Sequence, residues 1–273
     1  MTRPRPARPE SPVERFFLPR PLQLATVELD GSEAHHLLHV LRANVGNRVG
    51  LFNGEGGEAL AELVALGKRS AELRILETWT TPAESHELIL ATALPKGDRA
   101  RWLVEKATEL GVTRIIPLRT TRSVVEPGEG KLDKLAQAAI AACKQCGRSR
   151  LPQLDPLTPF AELLREFAAD PPRQLTLLAD PRAELSLGQL FESLDTRPAT
   201  LLALIGPEGG FTEEELIAAR AAHVASVRLD THILRIETAG LAIAAACLAM
   251  MDTKKLARRA SEGLIPNSLA GTL

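Results

Sequence analysis

LLALIGPEGGFTEEEL, Leu201 to Leu216, is the stretch on which the fold turns. Leu201 to Ile205 is apolar throughout, which marks a strand buried on both faces, since a half-exposed strand would alternate apolar with polar residues. The strand runs into Gly206-Pro207-Glu208-Gly209-Gly210. Thr212 then reads as the cap of a helix whose first turn is Glu213, Glu214 and Glu215. The three glycines let the backbone turn tightly and approach a ligand, and the place beyond the carboxyl end of a parallel strand is where α/β folds bind small molecules. Neither phosphate signature is present, because no Lys-Ser/Thr follows the glycines and Gly-x-Gly-x-x-Gly is absent. The acidic first turn would also repel phosphate. Backbone groups around an uncharged ring such as adenine fit better; the bland alternative is a plain strand-to-helix turn.

Outward from this unit the pattern repeats. Leu88 to Leu94, Val112 to Leu118, Gln174 to Ala179 and Val224 to Leu229 read as strands. Asp98 to Leu110, Lys131 to Cys146, Pro159 to Ala169, Thr212 to Ala222 and Glu237 to Met251 read as helices. Apolar strands separated by helices call for a parallel sheet covered on both faces, so this half is α/β. The small residues of Glu237 to Met251 would let another backbone come close, while Arg235 and Glu237 at its start need partners if buried. Towards the N-terminus the period changes. After Arg15 to Leu18 and a short helix from Glu33 to Arg42 capped by Ser32, the segments Val49 to Asn53, Glu58 to Ala65 and Ala71 to Trp79 alternate between glycine-rich turns, the mark of a small β-barrel or sheet. Thr80 to Ser85 is the linker. The chain therefore divides into a basic arm (1–14), a β domain (15–82), an α/β domain (86–252) and a tail (253–273).

The chain's 273 residues, 45% hydrophobic, suffice for two cores. The longest apolar run, Ala239 to Met251, falls short of the roughly 18 residues of a membrane span, and the arm has no apolar segment of a secretion signal. A cytoplasmic protein without a membrane partner is expected. Cys143-x-x-Cys146 has no second pair and lies in a helical pattern, and His35, His36 and His39 lack a suitably spaced further ligand, so no metal is expected. The net charge of −1 hides a polarised chain: residues 1–82 are neutral, 83–150 carry +4, 151–252 carry −8 and the tail carries +3. The positive segment holds Lys96, Arg99, Arg101, Lys106, Arg114, Arg119 and Arg122, with Lys96 and Arg122 at strand ends where α/β sites are built. Such cations suit the phosphates of an RNA, which position it without reading its sequence. Aromatic stacking platforms are scarce, since the chain has no Tyr.

Five segments in order resemble the SPOUT methyltransferases, and within them the family that makes 3-methyluridine in small-subunit ribosomal RNA, ribosomal RNA small subunit methyltransferase E. They are LPKGDRARWLVEKATELGV from Leu94, RSVV from Arg122, CKQCGRSRLP from Cys143, IGPEGGFTEEE from Ile205 and LRIETA from Leu234. The resemblance spans the chain from Arg15 to about Met251. It implies a PUA-like β-barrel followed by a parallel-sheet methyltransferase domain tied in a trefoil knot, a topology that general connection rules argue against. It further implies a homodimer that methylates 16S ribosomal RNA, on the assembled 30S subunit, at ring nitrogen 3 of a uridine. S-adenosylmethionine would be held by Leu178, Ala179, the run from Gly206 through Pro207, Glu208 and Gly209 to Gly210, and a loop comprising Leu229, Ile233, Leu234, Arg235, Glu237, Thr238 and Ala239. RNA would meet Arg15, Lys96, Arg99, Arg122, Gln145 and Arg148. Arg122, assisted by Arg15 or Arg148, would stabilise the deprotonated ring, with no general base evident. The chain departs from the family's pattern at Asp230, His232 and Ile236, and at Lys144, where an acidic residue is expected. Two other readings stay open: a SPOUT enzyme with another target, such as a ribose hydroxyl, and a non-catalytic RNA-binding or assembly protein.

Overall fold

The computed structural model describes residues 14–167 and 174–261. All but the last residue of the expected basic arm, the last two residues of the helix expected to end at Ala169, and the end of the tail (262–273) lie outside them. The described chain forms two compact units. One runs to Glu84 and takes in Ala139–Leu151; the other comprises Ser85–Ala138 and the chain from Pro152 on.

In the first unit, β1 (Arg15–Phe17), β2 (Thr26–Leu29), β3 (Arg48–Phe52), β4 (Gly57–Leu66) and β5 (Ala71–Thr80) form one sheet in the order β1-β3-β4-β5-β2. Only β1 and β3 pair in parallel. Two register shifts in the β4–β5 ladder, at Leu60/Ala61 and Leu63/Ala65, are bulges of the kind that bend and twist a sheet. Its inner face buries Phe16, Leu29, Leu51, Leu63 and Leu73 in one cluster, closed by Leu37. The helix expected over Glu33 to Arg42 differs in detail. It is a short α1 (Gly31–His35) that passes into a π turn at His36–Val40, and Asp30, not Ser32, precedes it. Glu33 is spent elsewhere: its carboxylate accepts from the Phe17 backbone N–H at 3.2 Å and from Lys144 Nζ at 2.8 Å. Ala139–Leu151 belongs here although it follows the first strands of the α/β half, because Arg15 Nη1 donates to the carbonyls of Cys143 (3.0 Å) and Arg148 (3.2 Å), and Arg150 donates to that of Thr81 (3.0 Å).

The second unit is a parallel sheet. β6 (Glu87–Thr92), β7 (Arg114–Arg119), β8 (Gln153–Leu154), β10 (Gln174–Ala179), β11 (Thr200–Ile205) and β12 (Ala225–Val227) run in the order β12-β10-β11-β6-β7-β8, with β9 (Thr158–Pro159) also paired to β7. β6 and β11 are buried in all but their first residues, as apolar strands in a covered sheet must be. Side chains of α4 (Phe160–Phe167) and α6 (Glu213–Ala221) pack with β6, β7, β10 and β11 in one cluster that includes Ile89, Ile116, Leu178, Leu204, Phe160, Phe211 and Leu216. The helices α2 (Arg99–Glu109) and α7 (Ile236–Ser261) pack against each other, with α7 on β6 and β11. A Cβ at Gly240 would stand 3.2 Å from Leu103 Cδ1, so the expected close approach of α7 is made to α2. The connecting helices are α3 (Glu129–Cys146) and α5 (Leu187–Glu192). α7 runs past its expected end at Met251 because Thr253 to Ala260 holds good helix formers and neither Gly nor Pro. After β12 at the sheet's edge, the chain therefore returns across the sheet to its middle.

Candidate functional site

The carboxyl ends of β10, β11 and β12 stand level, because Ala179 pairs with both Ile205 and Val227. A cavity of ≈ 240 Å³ lies beyond them, lined by residues just past each strand. Gly206 to Phe211 supplies one wall. There Gly210 has φ +66, a left-handed conformation that favours glycine, and its N–H donates to the Pro207 carbonyl at 2.8 Å. Phe211 is buried against Phe160, ring centroids 5.3 Å apart, and lies so close to Gly206 that a Cβ there would stand 2.8 Å from the ring. Thr212 caps α6 as expected, and Glu215 completes a reciprocal capping box: the Glu215 N–H donates to Thr212 Oγ1 (3.3 Å) and the Thr212 N–H to Glu215 Oε2 (2.8 Å).

Leu229 to Ile236 supplies the other wall. Asp230 Oδ1 accepts from the Thr231 N–H (2.6 Å) and Oγ1 (3.1 Å), and these bonds hold its carboxyl below the usual carboxylate range. Ile233 is 86% exposed. At the start of α7, Glu237 is buried; its Oε1 accepts from Arg99 Nη1 at 3.3 Å, and Arg99 Nη2 lies 3.9 Å from Glu208 Oε1. Glu237 Oε2 has no hydrogen-bond partner among the described residues. A buried acceptor left so costs about 1–3 kcal/mol. Backbone and apolar side chains suit a ligand with a flat apolar part, and the charged lining is mixed, with Asp180, Glu208 and Asp230 beside Arg235. No metal-binding cluster occurs among the described residues.

Of the residues expected at the cofactor, Ala179, Gly206, Pro207, Glu208, Gly210, Leu229, Ile233, Leu234, Arg235 and Ala239 line this cavity. Leu178 is fully buried in the sheet core, Gly209 abuts Arg122, and Glu237 and Thr238 are not among the lining residues. Asp230, His232 and Ile236, inside the loop already read, also line it, and so do Asp180, Pro181, Ile205 and Phe211, which were not expected as contacts; for the first three of these the signal was a place at or one or two residues past a strand end.

The expected RNA residues divide between the units. In the second, Lys96 is exposed beyond β6, and Arg99 bridges Glu208 and Glu237. Arg122 follows β7 and is exposed; its Nη1 donates to the carbonyls of Gly209 (2.7 Å) and Phe211 (3.4 Å), which ties it to the cavity wall. In the first unit Gln145 is exposed. Arg15 is held by Glu58 at 3.1 Å and lies 4.8 Å over the Phe52 ring, and burial of the half-buried Arg148 works against its charge. Lys144, where the resemblance leads one to expect an acid, is paired with Glu33. Cys143 is buried and its thiol pushed up to about 12 by that burial, whereas Cys146 is exposed.

Comparison with known proteins fits this geometry. Residues 82–248 match a family model described as an RNA methyltransferase domain, and residues 29–76 one described as an RNA methyltransferase PUA domain. Ribosomal RNA small subunit methyltransferase E of Bacillus subtilis is 30% identical over 84% of this chain and 93% of its own length, and that of Synechocystis is 32% identical over 84% and 75%. Among solved structures, ribosomal RNA small subunit methyltransferase E of Neisseria gonorrhoeae bound to S-adenosylmethionine superposes with TM-score 0.76 at 33% identity, covering 88% of this chain and 97% of that one. A Legionella pneumophila methyltransferase with bound S-adenosylmethionine superposes with TM-score 0.78 at 28% identity, covering 87% and 97%.

Proposed function

This chain belongs to the ribosomal RNA small subunit methyltransferase E family, and from that premise we propose that it transfers a methyl group from S-adenosylmethionine to ring nitrogen 3 of a uridine in 16S ribosomal RNA, acting as a cytoplasmic homodimer on the assembled 30S subunit. The observation that carries the reading is the direct bonding of Arg122 to Gly209 and Phe211, which puts an exposed cation against the wall of a largely apolar cavity at the ends of the parallel strands. We include in the proposal the trefoil knot that the resemblance implies, with which the return of the chain from β12 across the sheet to α7 is compatible. The division into a β domain (15–82) and a methyltransferase domain (86–252) stands with it as a proposal, with Ala139–Leu151 packed on the first.

The cofactor supplies an electrophilic methyl group on a sulfonium. The acceptor N–H must lose its proton to solvent as the N–C bond forms, and for a group as weakly acidic as a phenol this costs about 4 kcal/mol at pH 7, an upper bound for an imide. Arg122 lowers that cost by stabilising the ring anion through its oxygens. The cavity walls would hold the two reactants in line while the proton passes to solvent, so no dedicated base is needed. Arg15, which bonds the Cys143 and Arg148 carbonyls at the end of α3 that carries Gln145, or Arg148 itself would assist as a second cation, while Lys96 and Arg99 sit on the RNA-facing edge, Arg99 also joining Glu208 to Glu237.

Nucleoside mass spectrometry of 16S RNA from a deletion strain should show loss of 3-methyluridine; loss of a ribose-methylated nucleoside instead would refute the target. Arg122→Ala should lower kcat on 30S subunits by about 10²–10³-fold, the scale for removing one charge-stabilising donor. A wild-type rate would remove Arg122 from the mechanism.

A further inference from the structure

Thr120 to Ser123 is a turn closed on itself: the Ser123 N–H donates to the Thr120 carbonyl at 3.1 Å, and the Thr120 N–H donates to Ser123 Oγ at 2.9 Å. Within the turn, Arg122 bonds the cavity wall through the Gly209 and Phe211 carbonyls. Glu215 adds a second fastening. One oxygen of its carboxylate, Oε2, accepts from the Thr212 N–H at 2.8 Å and completes the capping box of α6. The other, Oε1, accepts from both the N–H (2.7 Å) and the Oγ1 (3.0 Å) of Thr121. One carboxylate thus grips the end of the Gly206–Phe211 wall with one oxygen and the residue next to Arg122 with the other. On the far side of Thr121, Arg122 reaches the Gly209 and Phe211 carbonyls, and its Cβ and Cδ approach Gly209 closely enough that a Cβ there would stand 3.3 Å from each.

A helix cap needs only one of these oxygens. The second is an addition with no role in α6, and hydrogen bonds to a charged acceptor are the strong ones.

We propose that Glu215 is a positioning residue of the methyl-transfer reaction, fastening the Arg122 turn to the cofactor-cavity wall through Thr121 so that the cation and the bound methyl donor keep one geometry. The inference rests on the role given to Arg122 above. It adds that the RNA edge and the cofactor wall move together. A displacement of about 1 Å in such a site can cost about a hundredfold in rate, so a modest pair of hydrogen bonds is enough to matter.

Thr121→Val removes the Oγ1 donor and leaves the capping box whole. It should lower kcat on 30S subunits about tenfold with Tm and the KM for S-adenosylmethionine unchanged, and Thr121→Ser, which keeps the hydroxyl, should restore the rate. Glu215→Gln, whose single carbonyl oxygen cannot serve both Thr212 and Thr121, should lower kcat further, and adding Thr121→Val to it should change little more. Hydrogen exchange at the Thr121 amide should quicken in Glu215→Gln, a readout independent of activity. If Glu215 only caps the helix, Glu215→Gln lowers Tm, Thr121→Val matches the wild type in rate, and the proposal falls. It falls equally if Thr121 amide exchange is unchanged in Glu215→Gln. If the wild-type protein itself leaves 30S subunits unmethylated, the proposed function fails instead, and the exchange measurement still decides whether the fastening exists.

Discussion

Gly206–Phe211 and Leu229–Ile236 line the same cavity, yet they are held by different means. The first is pinned from several sides: a buried ring, a glycine turn, a reciprocal capping box and the bonds from Thr121 and Arg122. The second is held at its exposed part by local bonds from Thr231 to Asp230, with Ile233 almost fully in water, and gains buried packing only at Ile236 and Glu237. A wall that carries a proposed catalytic cation has to be stiff, since the cation's worth depends on its place. A wall that meets a ligand through its backbone does not need particular side chains. That fits two of the departures from the pattern the resemblance implies, Asp230 and His232, which fall in the exposed part of the second wall; a third, Ile236, is buried at the start of α7.

The contrast can be broken most forcefully at Phe211. Phe211→Ala should destabilise the protein by about 3–5 kcal/mol, the usual cost of emptying a buried aromatic site, seen as a large fall in Tm or denaturation midpoint. S-adenosylmethionine affinity measured by calorimetry should fall with it. A small loss would mean that the wall stands without its ring. Gly206→Ala should cost less, about 1–3 kcal/mol, since the new methyl meets the Phe211 ring at 2.8 Å and one of them must shift. Wild-type stability in this variant would show that the close approach is incidental.

The stiff wall was also the legible one. Its strand, turn, cap and helix follow from residues within a few positions of one another, and the structure forms each of them. Whatever depends on distant partners was not readable. β8 and β9 are two residues each and exist only because β7 offers them an edge. Ala139–Leu151 joins the first unit through Arg15 and Arg150, whose acceptors no local pattern announces. Arg99 and Arg122 stood out as cations of a basic segment; that Arg99 would bridge Glu208 to Glu237, and that Arg122 would lie on Gly209, required the fold. The double use of Glu215 hid behind its more familiar use as a cap.

The smallest effect is expected in the exposed wall, at Asp230. Asp230→Asn keeps an oxygen to accept from Thr231 and removes only the charge, so stability should fall only slightly and S-adenosylmethionine affinity should fall by no more than about tenfold, the scale of a single hydrogen bond. The bonds from Thr231 depress the carboxyl of Asp230, so the fold favours its charged form. That contribution is complete above the ordinary carboxylate range near pH 4 and is lost only as pH falls through the lower folded value. Between pH 6 and 8 the affinities of wild type and Asp230→Asn should therefore run parallel by calorimetry. A loss well beyond tenfold, or a pH dependence in that window abolished by the substitution, would mean that the carboxylate itself grips the methyl donor, and that the exposed wall acts through its side chains as well as its backbone.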